Sequence, residues 1–146
     1  MKFGGRKMYR RILLAVDGSE NSIRATEEAV KIASLIPKCK IEVVYVADFS
    51  KSKNEILHSQ GKEELAYSRR KRLYPVEEKI KSENIDYELK ILHGYPGPTI
   101  IEYANEEKVD LVVIGSRGLN SLQEMVLGSV SHKVVKRVDC PVLIVK

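Results

Sequence analysis

Short apolar runs alternate with longer amphipathic stretches along most of this sequence. The apolar runs predict five β-strands, at Arg11–Val16, Ile41–Val46, Tyr87–Leu92, Asp110–Ile114 and Val142–Val145. Apart from the third, which alternates, they are almost wholly aliphatic, the pattern of a parallel strand buried on both faces. Strands of this kind separated by helices predict a three-layer α/β domain, in which helices cover both faces of a five-stranded parallel sheet.

The stretches between the strands carry helix signals. We predict helices at Glu20–Leu35, Lys62–Glu83, Thr99–Glu107 and Ser129–Arg137. Ser19 is a candidate N-cap for the first helix, Pro98 lies near the first position of the third, and Pro75 should kink or split the second. The first helix has an apolar stripe made of Ile23, Ala29, Val30, Ala33 and Ile36. The polar, lysine-rich residues Asp48–Gly61 predict a loop or a short insertion.

Length and composition indicate one ordinary globular domain. The chain has 146 residues, of which 43% are apolar and 31% charged, as in a typical folded domain. Residues 1–9 show no periodicity and predict a flexible basic tail, so that the domain spans residues 10–146. No apolar run approaches the roughly 18 residues of a membrane span, and the run that ends at Val16 is too short for a secretory signal. We therefore expect a cytoplasmic protein with no membrane partner.

Charge and cysteine usage add little to this picture. The formal net charge is +5, but the basic residues are spread out, with clusters at Lys2–Arg11 and Arg69–Arg72. We interpret the clusters as a solvated tail and a solvated helix face. Because no nucleic-acid-binding signature accompanies them, we expect no nucleic-acid partner. Cys39 and Cys140 lack metal-ligand spacing and are expected to pack as small hydrophobic residues.

A glycine-bearing segment after the fourth strand carries the clearest chemical signal. Gly115-Ser116-Arg117-Gly118 is followed by nine residues and then by Gly128-Ser129-Val130-Ser131, where a helix begins. Glycine allows close approach of a ligand to the backbone, and a helix N-terminus offers N–H groups and partial positive charge to phosphate. The Ser129 and Ser131 hydroxyls add donors. These are the parts of a phosphate-binding site, although glycines that only form turns and a serine that only caps the helix would give the same pattern.

Motifs of common nucleotide-binding enzymes do not occur in the sequence. There is no Walker-type Gly-Lys-Ser, and the first strand is followed by Asp17-Gly18-Ser19 instead of a dinucleotide-binding glycine motif. His58, His93 and His132 lie in separate contexts and form no metal-ligand cluster. No residue stands out as a dedicated general acid or base, so we predict no catalytic residue.

Several segments, in order along nearly the whole chain, resemble the universal stress protein family. ATP-binding members of that family carry Gly-x2-Gly-x9-Gly-Ser/Thr, and Gly115, Gly118, Gly128 and Ser129 match this spacing. Val16–Ser19 is similar to the end of the family's first strand. The segments 109–118 and 140–145 are similar to its fourth and closing strands.

The resemblance implies a fold and a ligand. The fold is Rossmann-like, of the adenine nucleotide alpha hydrolase type, with strand order 3-2-1-4-5. The ligand is ATP, with Mg²⁺ or Mn²⁺ bridging the phosphates. Carried over position by position, the implied binding residues are Ala15, Asp17, Val46, Ile114, Gly115, Arg117, Gly118, Gly128, Ser129, Val130 and Ser131.

The resemblance also implies a role for each part of this set. Asp17 would accept a ribose hydroxyl, and Val46 would bind the adenine edge through its backbone. Ile114, Gly115, Arg117 and Gly118 would run beside the ribose and the first phosphates, and residues 128–131 would hold the outer phosphates. Alternatives remain for three of the residues. Asp17 could only cap the first helix, Arg117 could point to solvent, and Val46 could be a core residue and nothing more.

Three functions are compatible with these residues. The first is an ATP-binding stress-response or signalling module. The second is a slow ATPase or nucleotidyl-transferring enzyme that uses the same site, and the third is a dimeric interaction protein with a vestigial pocket. The intact glycine spacing argues against the third, and the lack of an evident acid or base argues against the second.

The unprotected aliphatic sequence of the last predicted strand indicates a homodimer. In the order 3-2-1-4-5, Val142–Val145 lies at a sheet edge and carries no charge or internal proline that would protect it. The same strand of a second copy, antiparallel about a two-fold axis, would cover this edge. The family resemblance implies the same arrangement, although an edge of four residues could also be left uncovered.

Overall fold

In the computed structural model, residues 8–48, 62–116 and 128–146 are described. Their elements, in chain order, are β1 (Arg11–Val16), α1 (Glu20–Ser34), β2 (Lys40–Asp48), α2 (Lys62–Ser82), β3 (Asp86–Gly94), α3 (Pro96–Glu107), β4 (Leu111–Gly115), α4 (Ser129–Arg137) and β5 (Val142–Val145). Each predicted strand and helix therefore exists, half of the boundaries coincide with the prediction, and the others differ by one to three residues.

The five strands form one parallel sheet in the order β3-β2-β1-β4-β5, which confirms the predicted order. The first strand is central, with Ala15 opposite Val44 of β2 on one side and opposite Ile114 of β4 on the other. The chain winds away from β1 in both directions, so a crevice opens between the carboxyl ends of β1 and β4. Ligands of open α/β sheets bind at such a switch point.

Helices cover both faces of the sheet. Alternate residues of β1 point to opposite sides, so that Leu14 packs with α1 and α2, and Leu13 with α3 and α4. Both leucines are fully buried, because parallel strands between two helical layers have no solvent-facing side. Cys39 packs in the first of these clusters and Cys140 against the second, and both thiols are free. The expectation that they pack as small hydrophobic residues is confirmed.

One proline prediction needs correction, and one of the two alternatives given for another is excluded. The third helix begins at Pro96 instead of Thr99, because the first turn of a helix uses no backbone N–H of its own and tolerates both Pro96 and Pro98 there. The second helix is not split at Pro75. Leu73, Val76 and Ile80 are buried on either side of that proline, and their packing holds the helix together where one hydrogen bond is lost.

Two expectations about helix surfaces are also only partly correct. In α1 the polar residues Ser22 and Thr26 are buried, whereas the predicted stripe residue Ile23 is only half-buried. Their hydroxyls make this burial possible, since Thr26 Oγ1 donates to the Ser22 carbonyl at 2.7 Å. In α2 the basic cluster is not wholly solvated, because Arg69 is buried.

The ends of the predicted domain are described in part. Residues 1–7 of the predicted tail and 49–61 of the predicted loop lie outside the described residues. The Tyr9 carbonyl accepts a hydrogen bond from Cys39 Sγ at 2.9 Å, so contact with the domain begins before residue 10. In the part of the chain that the structure describes, no helix is both long enough and apolar enough to cross a bilayer.

Candidate functional site

A cavity of about 370 Å³ lies at the carboxyl ends of β1, β2 and β4. Its size falls within the range of small-molecule sites. Eight of the residues predicted from the sequence line it, namely Ala15, Asp17, Val46, Ile114, Gly115, Ser129, Val130 and Ser131. Gly128 caps the helix that contributes the last three. Arg117 and Gly118 lie outside the described residues.

The turn from β1 into α1 fixes the position of Asp17. Asp17 Oδ1 accepts hydrogen bonds from the Ser19 backbone N–H at 2.9 Å and from Ser22 Oγ at 2.7 Å. Ser19 is the N-cap, as predicted, and its side chain accepts the Ser22 N–H at 3.3 Å. Asp17 therefore organises the start of α1, which supports the capping alternative, and it also lines the cavity. The two roles are compatible because one carboxylate has several acceptor positions.

The N-terminus of α4 faces the same cavity. Gly128 is its N-cap, and the first hydrogen bond of the helix runs from His132 N–H to the Gly128 carbonyl at 2.9 Å. The N–H groups of Ser129, Val130 and Ser131 precede that bond, so the helix itself provides them with no acceptor. Because glycine has no side chain to cap them, a ligand is a suitable acceptor, and the helix dipole favours a negatively charged one.

The hydroxyl of Ser131 has a structural partner. Ser131 is buried, and its Oγ donates to the Gly115 carbonyl at 2.9 Å, which ties the first turn of α4 to the end of β4. The Ser131 hydroxyl thus has a protein acceptor in this structure, and its role as a donor to a ligand stays a prediction. The backbone N–H of Ser131 still belongs to the open first turn of the helix.

Sequence reasoning missed one wall of the cavity. This wall is the start of α3, where Tyr95, Pro96, Gly97, Pro98 and Ile100 line the cavity. Tyr95 is 62% exposed. A signal was present, because the turn that begins at Gly94 follows a parallel strand and so had to emerge at the same edge as the other strand ends.

The sequence analysis also missed two cationic side chains that line the cavity. Arg72 of α2 and Lys133 of α4 both line it. Arg72 Nη1 donates to the Tyr45 hydroxyl at 3.0 Å. Arg72 belongs to the cluster that the sequence analysis assigned to solvent, and nothing in the local pattern distinguishes it from its neighbours.

Metal-ligating side chains do not cluster in the described ranges, which hold no group of three or more His, Cys, Asp or Glu residues placed to bind an ion. A metal that bridges phosphates takes most of its ligands from the phosphates and water. The cavity residues therefore fit such an ion only through the nucleotide and through the carboxylate of Asp17.

Fold and cavity together define a doubly wound α/β domain with a ligand site at its topological switch point. Comparison with known proteins is consistent with this class. The model of the universal stress protein family matches residues 8–146. The chain belongs to the universal stress protein family.

Relatives and solved structures cover almost the whole chain. The sequence is 32% identical to universal stress protein MJ0531 of Methanocaldococcus jannaschii, over 97% of this chain and 85% of that protein. It is 34% identical to universal stress protein YxiE of Bacillus subtilis, over 95% of this chain and all of that protein. The solved structure of MJ0577, also from Methanocaldococcus jannaschii, superposes with a TM-score of 0.78 at 27% identity and covers 96% of this chain and 97% of its own.

Another solved structure bears on the ligand. A universal stress protein in complex with cAMP superposes with a TM-score of 0.70 at 26% identity, over 96% of this chain and 98% of that chain. An adenine nucleotide is thus bound by a structural neighbour.

Proposed function

We propose that this protein binds ATP in the cavity at the switch point and acts as a nucleotide-dependent stress-response or signalling module. One observation carries the proposal. The N-terminal turn of α4, the carboxylate of Asp17 and the last part of β2 at Val46 line one cavity. These groups suit, in turn, the phosphates, the ribose hydroxyls and the edge of an adenine ring. The cytoplasmic location expected from the sequence stays a prediction.

The groups are spaced along the cavity in the order that a nucleotide requires. Val46 lies two residues before the end of β2, which continues past its predicted end, Asp17 follows β1, and residues 129–131 follow the neighbouring strand β4. An extended ligand that crosses the carboxyl edge from β2 towards β4 would meet the base-binding, ribose-binding and phosphate-binding groups successively. Mg²⁺ or Mn²⁺ would then neutralise part of the phosphate charge.

We further propose that two copies pair through β5. This strand lies at the edge of the sheet, and all four of its residues are half-buried in the single chain. A second β5, antiparallel to the first, would complete the hydrogen bonding of this edge and shield its aliphatic side chains.

The test of nucleotide binding is titration calorimetry with ATP and MgCl₂ on the wild type and on Gly128→Val. The backbone at Gly128 has φ −63° and ψ 162°, which is open to any L-residue, so the variant should fold. Its side chain would crowd a phosphate at the start of α4. We expect at least a tenfold loss of affinity, equivalent to about 1.4 kcal/mol.

Gly128→Asp is the control that separates binding from folding. Aspartate at the N-cap accepts the first-turn N–H groups and interacts favourably with the helix dipole, so the melting temperature should stay level or rise. The same carboxylate occupies the N–H groups that phosphate would use, and it repels the ligand. ATP binding that survives unchanged in both variants would contradict the proposal.

A further inference from the structure

The cavity receives one cation from each helical layer, and neither belongs to the glycine motif. Arg72 comes from α2, on the face of the sheet that α1 also covers, and Lys133 comes from α4, on the opposite face with α3. Asp17 is the one acidic side chain among the described lining residues. The described side chains of the cavity wall therefore carry a net positive charge. The N-terminus of α4 adds its partial positive charge to theirs.

Arg72 is held in place by a glycine and a tyrosine. Gly18 has φ +84°, and a Cβ atom there would lie 2.5 Å from Arg72 Cγ. The aliphatic stem of Arg72 thus lies directly on the turn that carries Asp17. Its Nη1 donates to the hydroxyl of Tyr45, a buried residue of β2. These contacts hold Arg72 against the turn that follows β1, at the wall of the cavity.

Lys133 is placed in a similar way on the other wall. A Cβ atom at Gly97 would lie 3.1 Å from Lys133 Cδ, so this stem also lies against a glycine. Lys133 follows Ser129 by four residues on α4, which brings both to one side of the helix. The ammonium group therefore belongs to the wall formed by the first turns of α3 and α4.

We infer that Arg72 and Lys133 make this site selective for adenine nucleotides with two or three phosphates over AMP and cyclic AMP. The inference rests on the proposed function and adds the ligand class that the site prefers. Negative charge increases from cyclic AMP through AMP and ADP to ATP, and each added phosphate interacts with two cations held over glycines. Arg72 and Lys133 are both exposed, but their stems lie against glycines, so less side-chain freedom is lost on binding each phosphate than at an unsupported surface lysine.

The experiment measures dissociation constants for ATP, ADP, AMP and cyclic AMP by calorimetry, first with EDTA and then with MgCl₂. The wild type should bind ATP at least tenfold more tightly than AMP. Arg72→Met and Lys133→Met should each weaken ATP binding by about tenfold, the effect of losing one charge-assisted hydrogen bond, and AMP binding by less than about twofold. The salt dependence of ATP binding should decrease in both variants.

Matched controls come from the same helices. Lys71→Met and Lys136→Met remove exposed cations that do not line the cavity, so the ratio of ATP to AMP affinity should stay within about twofold of the wild type. Arg72→Lys keeps the charge and should retain most of the selectivity. This variant, with melting curves for all proteins, shows whether the loss in Arg72→Met comes from charge or from damage to the turn at Gly18.

The outcomes distinguish the two proposals. If the wild type binds none of the four nucleotides, the proposed function fails and this inference fails with it. If the wild type binds ATP but the two variants leave the ATP to AMP ratio unchanged, only the selectivity proposal is overturned. Equal losses for ATP and AMP, or equal losses in the Lys71 and Lys136 controls, would overturn it as well.

Discussion

At the amino-terminal end of the sheet, the carboxylate of Glu42 is buried, with 3% of its side chain exposed. It accepts hydrogen bonds from Arg11 Nε at 2.7 Å, Arg11 Nη2 at 2.9 Å and the Tyr103 hydroxyl at 2.7 Å. Burial alone would raise the pKa of Glu42, but the hydrogen bonds from Arg11 and Tyr103 outweigh it and hold that pKa below its ordinary value. Burial and the hydrogen bond to Glu42 raise the pKa of Tyr103.

This cluster predicts a pH-dependent contribution to stability. Glu42→Gln removes the charge while Arg11 and Tyr103 remain, and should lower the free energy of unfolding at pH 7 by about 2–4 kcal/mol. Because the pKa of Glu42 is depressed in the folded state, its contribution is complete above the carboxyl pKa of the unfolded chain, about 4.3, and is lost as the pH falls through the folded value. Urea denaturation at pH 7 and near pH 3 should show the difference between wild type and variant shrinking in acid.

The neighbouring strand offers a control for Glu42. Glu88 lies opposite Glu42 in the register of β2 and β3, but its side chain is 44% exposed and pairs with Lys40 and Lys90. Exposed pairs contribute little, so Glu88→Gln should cost less than about 1 kcal/mol. An equal cost for the two substitutions, or a Glu42 effect that does not change with pH, would rule out this account of the buried cluster.

At the scale of the element, α4 is joined to the sheet by one serine and exposes another. Ser131 Oγ donates to the Gly115 carbonyl, whereas the Ser129 side chain is exposed. Ser131→Ala should therefore lower the free energy of unfolding by about 1 kcal/mol, the usual value for such a bond, and Ser129→Ala by less than about 0.5 kcal/mol. Thermal and urea denaturation of the two single variants measure this. A reversed order of the two effects would show that the bond from Ser131 to β4 is not what anchors the helix.

At the scale of the whole molecule, the dimer proposal depends on β5, and the two edges of the sheet allow a matched comparison. Leu143 of β5 and Leu89 of β3 are both half-buried and pack against the same hydrophobic cluster. Leu143→Lys should place a charge at the proposed interface and shift the protein to monomer at micromolar concentration. Leu89→Lys should cost similar stability in the monomer and leave the dimer intact, because it lies at the opposite edge.

Sedimentation velocity of the wild type and both variants tests this. A wild type that sediments as a monomer would exclude the β5 dimer. A dimer that persists in Leu143→Lys would place the interface on another surface. Circular dichroism of each variant shows whether a change in mass reflects loss of the interface or loss of the fold.

Patterns along the chain were enough to predict the elements and much of the candidate site. Uninterrupted aliphatic runs identify strands buried on both faces, and residues that follow such strands must emerge at one edge of a parallel sheet. Asp17, Gly115 and Ser129 were predicted for this reason and from the family motif, and all three line the cavity. An aliphatic run is a local signal, and a family motif is a fixed order of residues along the chain. Both can therefore be recognised in a single sequence.

The remaining walls of the cavity and the contacts of individual side chains became evident from the packed structure alone. Arg72 lies in a run of basic residues, and its place at the cavity depends on Gly18 and Tyr45, which are distant from it in sequence. Likewise the burial of Glu42 and the bond from Ser131 to Gly115 depend on which neighbours the packed helices and strands bring within hydrogen-bonding distance. The environment of a side chain depends on which layers of the fold pack around it. These layers come from residues distant in sequence, so a local sequence pattern does not predict the environment.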